Sequence, residues 1–337
     1  MKVFIVTEGS INLGYGHITR CRSLYQAFRE KDVSPEFVIN GDKDVGCFLG
    51  DEEYRIFNWL DNGKDLFSLV QNADIVIVDS YLANFEFYKM ISEMAKIPVY
   101  LDDNNRINYP RGIILNGSIG AENMKYPLKE KKVYLLGVKY VALRRVFWST
   151  PEKEIRNEAR KVMITVGGSD NENVSPQILK ILIDNFPALI KHMVIGKGFR
   201  NSAEIEKLKD ANTIMHYYPD AEKMKNIMLD SDIAISAAGQ TLYELARIGV
   251  PTIALYVAEN QLCNIKGWEK VGFVINAGSH RDTSFSSKIS RGIEDIMGFD
   301  ERVSFSNAGR NLVGGNGSRL IIENLLNYSM GGNGWIL

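Results

Sequence analysis

The chain has 337 residues, 45% of them hydrophobic and 24% charged, which is the balance of a folded protein and a length that suits two domains rather than one. The formal net charge is −1, so there is no basic excess to neutralise a nucleic-acid backbone, and we expect no nucleic-acid partner. Cys21, Cys47 and Cys263 form no CxxC pair, so they predict neither a zinc site nor a disulfide set and favour the reducing cytoplasm.

No segment is typical of a signal peptide or a membrane span. The apolar run near the N-terminus, Val3–Val6, is too short for the core of a signal peptide. No stretch reaches the roughly 18–20 apolar residues that cross a bilayer. We therefore expect a soluble cytoplasmic protein without stable membrane insertion, and the sequence leaves its oligomeric state open, a monomer included.

Short apolar runs rich in β-branched residues alternate with amphipathic segments, a pattern that predicts parallel sheets covered by helices on both faces. The predicted strands of the first half are Val3–Val6, Glu36–Ile39, Ile75–Val78, Val99–Leu101 and Ile113–Leu115. Those of the second half are Lys161–Val166, Met193–Ile195, Thr213–His216, Ile233–Ile235, Thr252–Val257 and Phe273–Ile275. The predicted helices are Ile18–Arg29, Phe85–Ala95, Val174–Asn185, Ala203–Lys209, Ala221–Leu229 and Gln240–Ile248.

The alternation pauses in the polar segment around residues 148–156 and then resumes, which predicts a linker. We predict an α/β protein of two doubly wound, Rossmann-like domains facing a central cleft, with residues 1–150 in the first domain and 151–328 in the second. The glycine-rich residues 329–337 are predicted to be a flexible tail. Since ligands bind beyond the carboxyl ends of the strands in open parallel sheets, the candidate functional residues are those of the loops there.

The loop between the first strand and the first helix carries the first candidates, Gly14, Gly16 and His17. The glycines let the backbone approach a ligand, and the helix N-terminus offers unpaired N–H groups to an anion. The positive end of the helix dipole favours a neutral imidazole at His17, which can act as a general base. The alternative is a polar residue that merely starts a helix, because the loop is neither a dinucleotide fingerprint nor a Walker loop.

Three loops of the second half are built from small or amide residues. Gly167–Asp170 can cradle a phosphate with backbone donors, although strand-to-helix turns often use such residues. Ser236–Glu244 combines small side chains with a helix N-terminus, and its Glu244 either binds a ribose diol or complements the helix dipole. Asn260 and Gln261 suit sugar hydroxyl or acetamido groups, and are equally compatible with helix caps.

The first half adds polar residues at further strand ends. Asp79 or Asp103 can orient a basic residue or hold loop backbone, and Tyr81 can donate a hydrogen bond to a ligand. Arg144, near the predicted hinge, can pair with phosphate or serve as a structural or solvated charge. The sequence lacks HExxH, a Cys/His cluster and GxSxG, so we predict no metal site, no cofactor and no serine-hydrolase centre.

These motifs, in this order, resemble a known family. GYGHITRC at 14–21, VDSY at 78–81, LDDNNR at 101–106, LLGVKYVALRRVF at 135–147, VGGSD at 166–170 and SAAGQTLYE at 236–244 are similar to the UDP-sugar hydrolases of pseudaminic-acid synthesis and to the related spore-coat polysaccharide proteins. The second half also resembles the nucleotide-binding half of the GT-B-fold transferase that adds N-acetylglucosamine to lipid I. The resemblance therefore implies the GT-B fold and a UDP-sugar substrate.

The resemblance also implies a reaction, in which water attacks the anomeric carbon of a UDP-linked diacetamido-trideoxy sugar, UDP leaves and the configuration inverts, without a metal. It assigns His17 as the base, with Tyr81 and Asn260 as further catalytic residues that shape the site around the sugar. Glu244 would hold the uridine ribose and Arg144 the diphosphate. The full set of predicted substrate-binding residues is Gly14, Gly16, Arg20, Asp103, Arg144, Gly168, Ser169, Ala238, Gly239, Gln240, Thr241, Glu244 and Gln261.

Two rival functions stay open. A glycosyltransferase of the same fold would use His17 to deprotonate an acceptor hydroxyl instead of water, and a non-catalytic nucleotide-sugar-binding protein would not need His17. Cys21 and the pair Asn104–Asn105 stand where the hydrolases can carry acidic residues, which leaves the identity of the sugar open.

Overall fold

The computed structural model describes residues 1–10, 13–127 and 131–329, apart from the side chain of Asn260. The chain divides into two compact units. Domain 1 comprises Met1–Arg145 and the C-terminal segment from Asn316, and domain 2 comprises Val146–Gly315.

Domain 1 contains a parallel sheet whose described strands run in the order β3-β2-β1-β4-β5-β6-β7. The strands are β1 Val3–Gly9, β2 Glu36–Gly41, β3 Tyr54–Ile56, β4 Ile75–Asp79, β5 Ile97–Leu101, β6 Gly112–Asn116 and β7 Lys132–Leu136. The helices that precede the domain boundary are α1 Gly16–Arg29, α2 Gly63–Val70 and α3 Phe85–Met94. Every residue of β1, β4 and β5 is buried, as expected for central strands covered on both faces.

Domain 2 repeats this architecture with the strand order β10-β9-β8-β11-β12-β13. The strands are β8 Lys161–Thr165, β9 Ile190–Ile195, β10 Thr213–Tyr217, β11 Ile233–Ala237, β12 Thr252–Tyr256 and β13 Val274–Ser279. The helices are α4 Val174–Asn185, α5 Ser202–Leu208, α6 Ala221–Asp230, α7 Thr241–Ile248, α8 Leu262–Lys270, α9 Phe285–Asp295 and α10 Phe299–Leu312. The predicted pair of doubly wound α/β domains is thereby confirmed.

Each sheet has a point where the strand order reverses, between β1 and β4 in domain 1 and between β8 and β11 in domain 2. The crossovers on the two sides of such a point lead in opposite directions, which leaves a crevice beyond the carboxyl ends of the two strands. The loops after β1 and β4 are therefore neighbours, as are the loops after β8 and β11.

The last helix, α11 Gly317–Ser329, belongs to domain 1, although the sequence analysis assigned residues up to 328 to the second domain. The Ser318 hydroxyl lies 2.6 Å from the Ser23 hydroxyl in the middle of α1 in a buried contact, and Arg319 pairs with Glu30 just after the C-terminal end of α1. A side chain at Gly317 would collide with the carbonyl oxygen of Val141, so glycine lets this helix start against domain 1. Residues 330–337 of the predicted tail lie outside the described residues.

Within the described part of the chain, no helix combines the length and the apolar composition needed to cross a membrane.

Candidate functional site

The first loop of domain 1 makes a tight turn before α1. The backbones of Ser10 and Gly14 pair with each other, with the Gly14 N–H donating to the Ser10 carbonyl at 2.7 Å. Gly14 has a φ of 80°, a left-handed conformation that glycine adopts without strain. The turn places His17 in the first turn of α1, at the carboxyl edge of the sheet.

His17 is paired with Asp79, the last residue of the neighbouring strand β4. The Nδ1 atom of His17 lies 2.7 Å from Oδ1 of Asp79, whose side chain is completely buried. A carboxylate partner at this distance keeps the proton on Nδ1 and leaves the lone pair of the neutral ring on Nε2. Among the described residues, Asp79 and Arg20 lie within hydrogen-bond distance of Nδ1 and none lies within that distance of Nε2. Because the Nδ1 proton points to Asp79, the Arg20 N–H does not donate to this nitrogen, and Nε2 is the atom of the ring that can accept a proton.

Arg20, one turn further along α1, joins two carboxylates. Its Nε and Nη2 atoms each donate to Asp79 at 2.5 Å, and its Nη1 atom donates to both oxygens of Asp103 at 2.8 and 2.9 Å. Burial raises the pKa of Asp79, but Arg20 and His17 outweigh it and hold that pKa well below its ordinary value. Arg20 and Asp103, predicted to bind substrate, are thus committed to an internal ion-pair cluster.

Tyr81 completes this cluster. Its ring meets the His17 ring edge-on, with 4.6 Å between the centroids, and its hydroxyl donates to Asp103. Burial, followed by the nearby Asp103, raises the pKa of the Tyr81 hydroxyl far above its ordinary value, so the group stays protonated. The predicted hydrogen bond from this hydroxyl to a ligand would have to compete with Asp103.

Two further residues support the cluster. Glu8, buried at the end of β1, accepts the backbone N–H of Tyr81 at 2.7 Å and the hydroxyl of Ser80 at 2.5 Å, which shapes the loop after β4. The thiol of Cys21 lies 3.4 Å from Oδ2 of Asp79, and burial, then Asp79, raises its pKa well above the ordinary value. Sequence reasoning missed Glu8, although an acidic residue at the end of a buried strand is a usable signal.

The two glycines of the first loop leave open space. A Cβ atom added to Gly14 or Gly16 would meet no described atom within 4 Å, as expected where a ligand approaches the backbone. Arg144, half-buried, also belongs to domain 1, and its contact with the diphosphate stays a prediction.

In domain 2, the loop after β8 also has an open backbone face. Gly167 has a φ of 101°, and a Cβ atom on Gly167 or Gly168 would meet no described atom within 4 Å. Asp170, however, accepts the backbone N–H groups of Val174 and Ser175 at 2.8 and 2.9 Å. Since this carboxylate occupies donors of α4 that an anion would use, a phosphate here would be left with the backbone of Gly168 and Ser169.

The neighbouring loop after β11 differs, because α7 begins without a side-chain cap. Ala238 is buried while Gly239, Gln240 and Thr241 are half-buried, and Glu244 is buried on α7. The uncapped N-terminus of α7 retains positive potential for an anion. This loop therefore suits the predicted diphosphate better than the loop that ends at Asp170.

Asn264, on α8, holds this loop in place. Asn264 donates from Nδ2 to the carbonyl of Ala238 at 2.7 Å and accepts the hydroxyl of Tyr243 at 2.5 Å. Gln261, predicted to bind substrate, uses its Oε1 to accept the backbone N–H of Val257 at 3.0 Å. Asn264 was not foreseen. Asn260, predicted as catalytic, has a side chain outside the described residues.

A fourth loop of domain 2, Gly196–Arg200, was also missed. The backbone N–H of Gly198 donates to the carbonyl of Gly168 at 2.8 Å, and a Cβ atom on Gly196 would collide with the same oxygen. The pair of glycines that directly follows β9 was the available signal. Across the described residues, no group of three or more His, Cys, Asp or Glu side chains is arranged to hold a metal ion.

Residues 152–313 match the model of the glycosyltransferase family 28 C-terminal domain. The chain is 28% identical over 277 residues to a Helicobacter pylori protein named pseudaminic acid cytidylyltransferase and UDP-2,4-diacetamido-2,4,6-trideoxy-β-L-altropyranose hydrolase, covering 81% of this chain and 47% of the relative. It is 24% identical over 329 residues to the Bacillus subtilis spore coat polysaccharide biosynthesis protein SpsG, covering 94% and 95% of the two chains. The predicted family resemblance is confirmed.

An uncharacterized protein of Methanocaldococcus jannaschii is 29% identical over 275 residues, which cover 77% of this chain and 57% of that protein. The chain thus spans about half the length of the archaeal and Helicobacter relatives.

Solved structures share the fold. The UDP complex of Staphylococcus aureus MnaA matches with a TM-score of 0.68 at 12% identity, covering 98% of both chains. Acinetobacter baumannii MurG matches with a TM-score of 0.66 at 11% identity, covering 97% of this chain and 100% of MurG. At such identities the likeness establishes the GT-B type of fold, and nothing about chemistry.

Proposed function

We propose that this protein hydrolyses a UDP-linked sugar to the free sugar and UDP. The observation that carries the proposal is the His17–Asp79 pair, which leaves Nε2 of a neutral imidazole available at the end of a glycine-containing loop. The pair lies beside the point where the strand order of domain 1 reverses, where ligands bind in such sheets. Nucleotide-sugar hydrolysis is also part of the name of the Helicobacter relative.

In the proposed reaction, Nε2 of His17 takes a proton from water while the water oxygen bonds to the anomeric carbon. The bond between that carbon and the diphosphate oxygen breaks, and its electron pair leaves with UDP. Attack opposite the leaving group inverts the anomeric configuration. The imidazolium that forms is stabilised by the ionised Asp79, and general-base assistance of this kind contributes about 10²–10⁴ in rate.

The nucleotide is assigned to domain 2. The N-terminus of α7 would receive the diphosphate, because no side chain caps it and the helix dipole is positive there. The buried carboxylate of Glu244, in the first turns of α7, would accept the ribose hydroxyls. The family resemblance supports these roles.

The sugar of the proposed substrate is a diacetamido-trideoxy sugar. The proposed reaction is a step in the synthesis of nonulosonic acids or surface polysaccharides. The names of the Helicobacter and Bacillus relatives support this assignment. Cys21, where the sequence left the identity of the sugar open, is completely buried beside Asp79, so its thiol does not contact the sugar directly.

The deciding assay follows UDP release from UDP-2,4-diacetamido-2,4,6-trideoxy-β-L-altropyranose and from UDP-N-acetylglucosamine by purified protein, with water as the acceptor. We expect UDP and free sugar in equal amounts from the first substrate, with inverted configuration detected by NMR at early time points. Binding of UDP without release of sugar from any UDP-sugar would refute the hydrolase.

A glycosyltransferase is the second candidate, and two observations favour it. The family model that matches residues 152–313 is that of glycosyltransferases. The segment after β4 also exposes Tyr81, whose ring meets the His17 ring, Leu82 and Phe85, which an acceptor can cover. Phe87 and Tyr88, by contrast, belong to the core. UDP release that requires an added saccharide or lipid-linked acceptor would establish this alternative.

A further inference from the structure

The charges around His17 do not balance. Two carboxylates, Asp79 and Asp103, face a single guanidinium, Arg20, so the cluster carries one net negative charge when the imidazole is neutral. A carboxylate close to a histidine stabilises the imidazolium. Two carboxylates without a cation would therefore favour a protonated His17, which cannot act as a base.

The position of Arg20 opposes this effect. Its Nη2 atom lies 3.3 Å from Nδ1 of His17 and donates to the same Asp79 oxygen that faces the imidazole. A permanent cation this close disfavours a second positive charge on the ring. The same guanidinium is fixed by Asp103 on its other side, and only the planar fork of arginine can reach both carboxylates at once.

We propose that Arg20 is a positioning residue that keeps His17 neutral and aligned, by dividing the charge of Asp79 and Asp103 between the guanidinium and the imidazole. The proton that His17 takes up in the reaction then brings the cluster to zero net charge, so the cluster is arranged to receive one proton. Arg20 acts through Asp79 and has no contact with substrate in this role.

The other charged and titratable groups near the ring do not replace Arg20. Tyr81 and Cys21 stay protonated because burial and neighbouring carboxylates raise the pKa of each. Glu8, at the end of β1, is occupied with the hydroxyl of Ser80 and the N–H groups of Tyr81 and Leu82. Among the described residues that surround His17, Arg20 is the cation bonded to the carboxylate that holds the ring.

The test is an NMR titration of the His17 imidazole, one of four histidines in the chain, assigned with His17→Gln. In Arg20→Met we expect the pKa of His17 to rise by about one pH unit or more, since a cation in contact is removed. In Arg20→Lys, which keeps the charge, we expect a pKa near that of the wild type but a lower kcat, because lysine cannot bind both carboxylates. Asp103→Asn removes a negative charge and should lower the pKa of His17.

Shifts in opposite directions for Arg20→Met and Asp103→Asn distinguish an electrostatic role from a merely structural one, which would move neither titration. An unchanged His17 titration in Arg20→Met together with a raised KM would overturn the proposal and assign Arg20 to the substrate. If Arg20→Met does not fold, Arg20→Lys and Asp103→Asn carry the test. The inference rests on the proposed role of His17, but the titration needs no turnover. Failure of the hydrolase would appear as absent UDP release with the shifts intact.

Discussion

The two domains share one topology but equip the point of strand reversal in different ways. In domain 1 the start of α1 and the end of β4 carry titratable side chains, His17, Arg20 and Asp79, which are hydrogen-bonded to one another. In domain 2 the loops after β8 and β11 carry glycine and alanine. The carboxylate of Asp170 accepts backbone N–H groups at the start of α4 and so caps that helix. One domain thus offers side-chain chemistry and the other offers exposed backbone.

The difference has a physical cause. Buried charges are stable only when they are paired and hydrogen-bonded, so Asp79 beside the His17 imidazole is paired with Arg20, which is paired in turn with Asp103. A nucleoside diphosphate brings its own charge, and backbone N–H groups at a helix N-terminus can bind it without a buried cation. Domain 1 is therefore expected to govern catalysis and domain 2 to govern affinity.

The largest effect should separate these two roles. We expect His17→Gln to lower kcat by about 10²–10⁴, because glutamine cannot take up a proton, while the affinity for UDP is unchanged. Glu244→Gln should instead weaken UDP binding by about 10–100-fold, because a hydrogen bond to a charged group contributes about 1.5–3 kcal/mol. Steady-state kinetics and calorimetric titration with UDP measure the two quantities.

The assignment of catalysis to domain 1 and nucleotide affinity to domain 2 is wrong if the two variants change kcat and UDP affinity in the same way. A loss of UDP affinity in His17→Gln would mean that the domain 1 cluster binds the nucleotide. A loss of kcat alone in Glu244→Gln would assign that carboxylate to the chemical step. Thermal melting of both variants controls for unfolding, which would lower both quantities together.

Much of the fold follows from the sequence, because central strands of parallel sheets are continuous apolar runs. The run Ile75–Val78, for example, is all but the last residue of β4. The edge strand β3, Tyr54–Ile56, was missed because it is three residues long and exposed throughout, which leaves no hydrophobic pattern. The return of α11 to domain 1 depends on contacts between segments nearly 300 residues apart, which no local pattern encodes.

The sequence predicted which loops form the candidate site, but not most of the side-chain bonds within it. The order of strands and loops brings His17 near Asp79, and the sequence analysis expected Asp79 or Asp103 to orient a basic residue, as the bonds of Asp79 to His17 and Arg20 bear out. Arg20 binds both carboxylates, which lie 59 and 83 residues away from it in the sequence. These two bonds depend on side-chain geometry that no local sequence pattern encodes. Glycines whose role is to let two loops touch, such as Gly196, look in a sequence like any other turn glycine.

Two glycine variants test whether domain 2 binds the nucleotide through its backbone. Gly196→Ala should destabilise the protein by about 1–3 kcal/mol, since its Cβ atom collides with the carbonyl oxygen of Gly168 and the backbone must move. Gly168→Ala meets no described atom within 4 Å, so its stability should change by less than about 0.5 kcal/mol. Chemical denaturation measures both. If Gly168→Ala, although stable, binds UDP as well as the wild type, this loop does not approach the nucleotide.

The smallest expected effect is a loss of stability in mild acid. We compare the contribution of a histidine pair in domain 2 with that of Asp79 in domain 1. Nδ1 of His192 lies 2.9 Å from Nε2 of His216 on the neighbouring strand. Burial lowers the pKa of both rings, and the proximity of His216 lowers that of His192 further, although Asp230 and Asp232 oppose the shift. Because the unfolded chain then binds protons more readily than the folded one, stability falls as the pH drops below the ordinary histidine value of 6.5.

Asp79 behaves in the opposite sense, since its pKa is depressed in the folded state. Its contribution to the free energy of unfolding is retained at pH values above the ordinary aspartate pKa of 3.8 and is lost only as the pH falls below that value. Mild acid should therefore lower the melting temperature, by a few degrees, through domain 2. His216→Gln should reduce that pH dependence, because it removes one ring of the pair. An equal loss of stability in acid for His216→Gln and the wild type would show that the histidine pair is not its source.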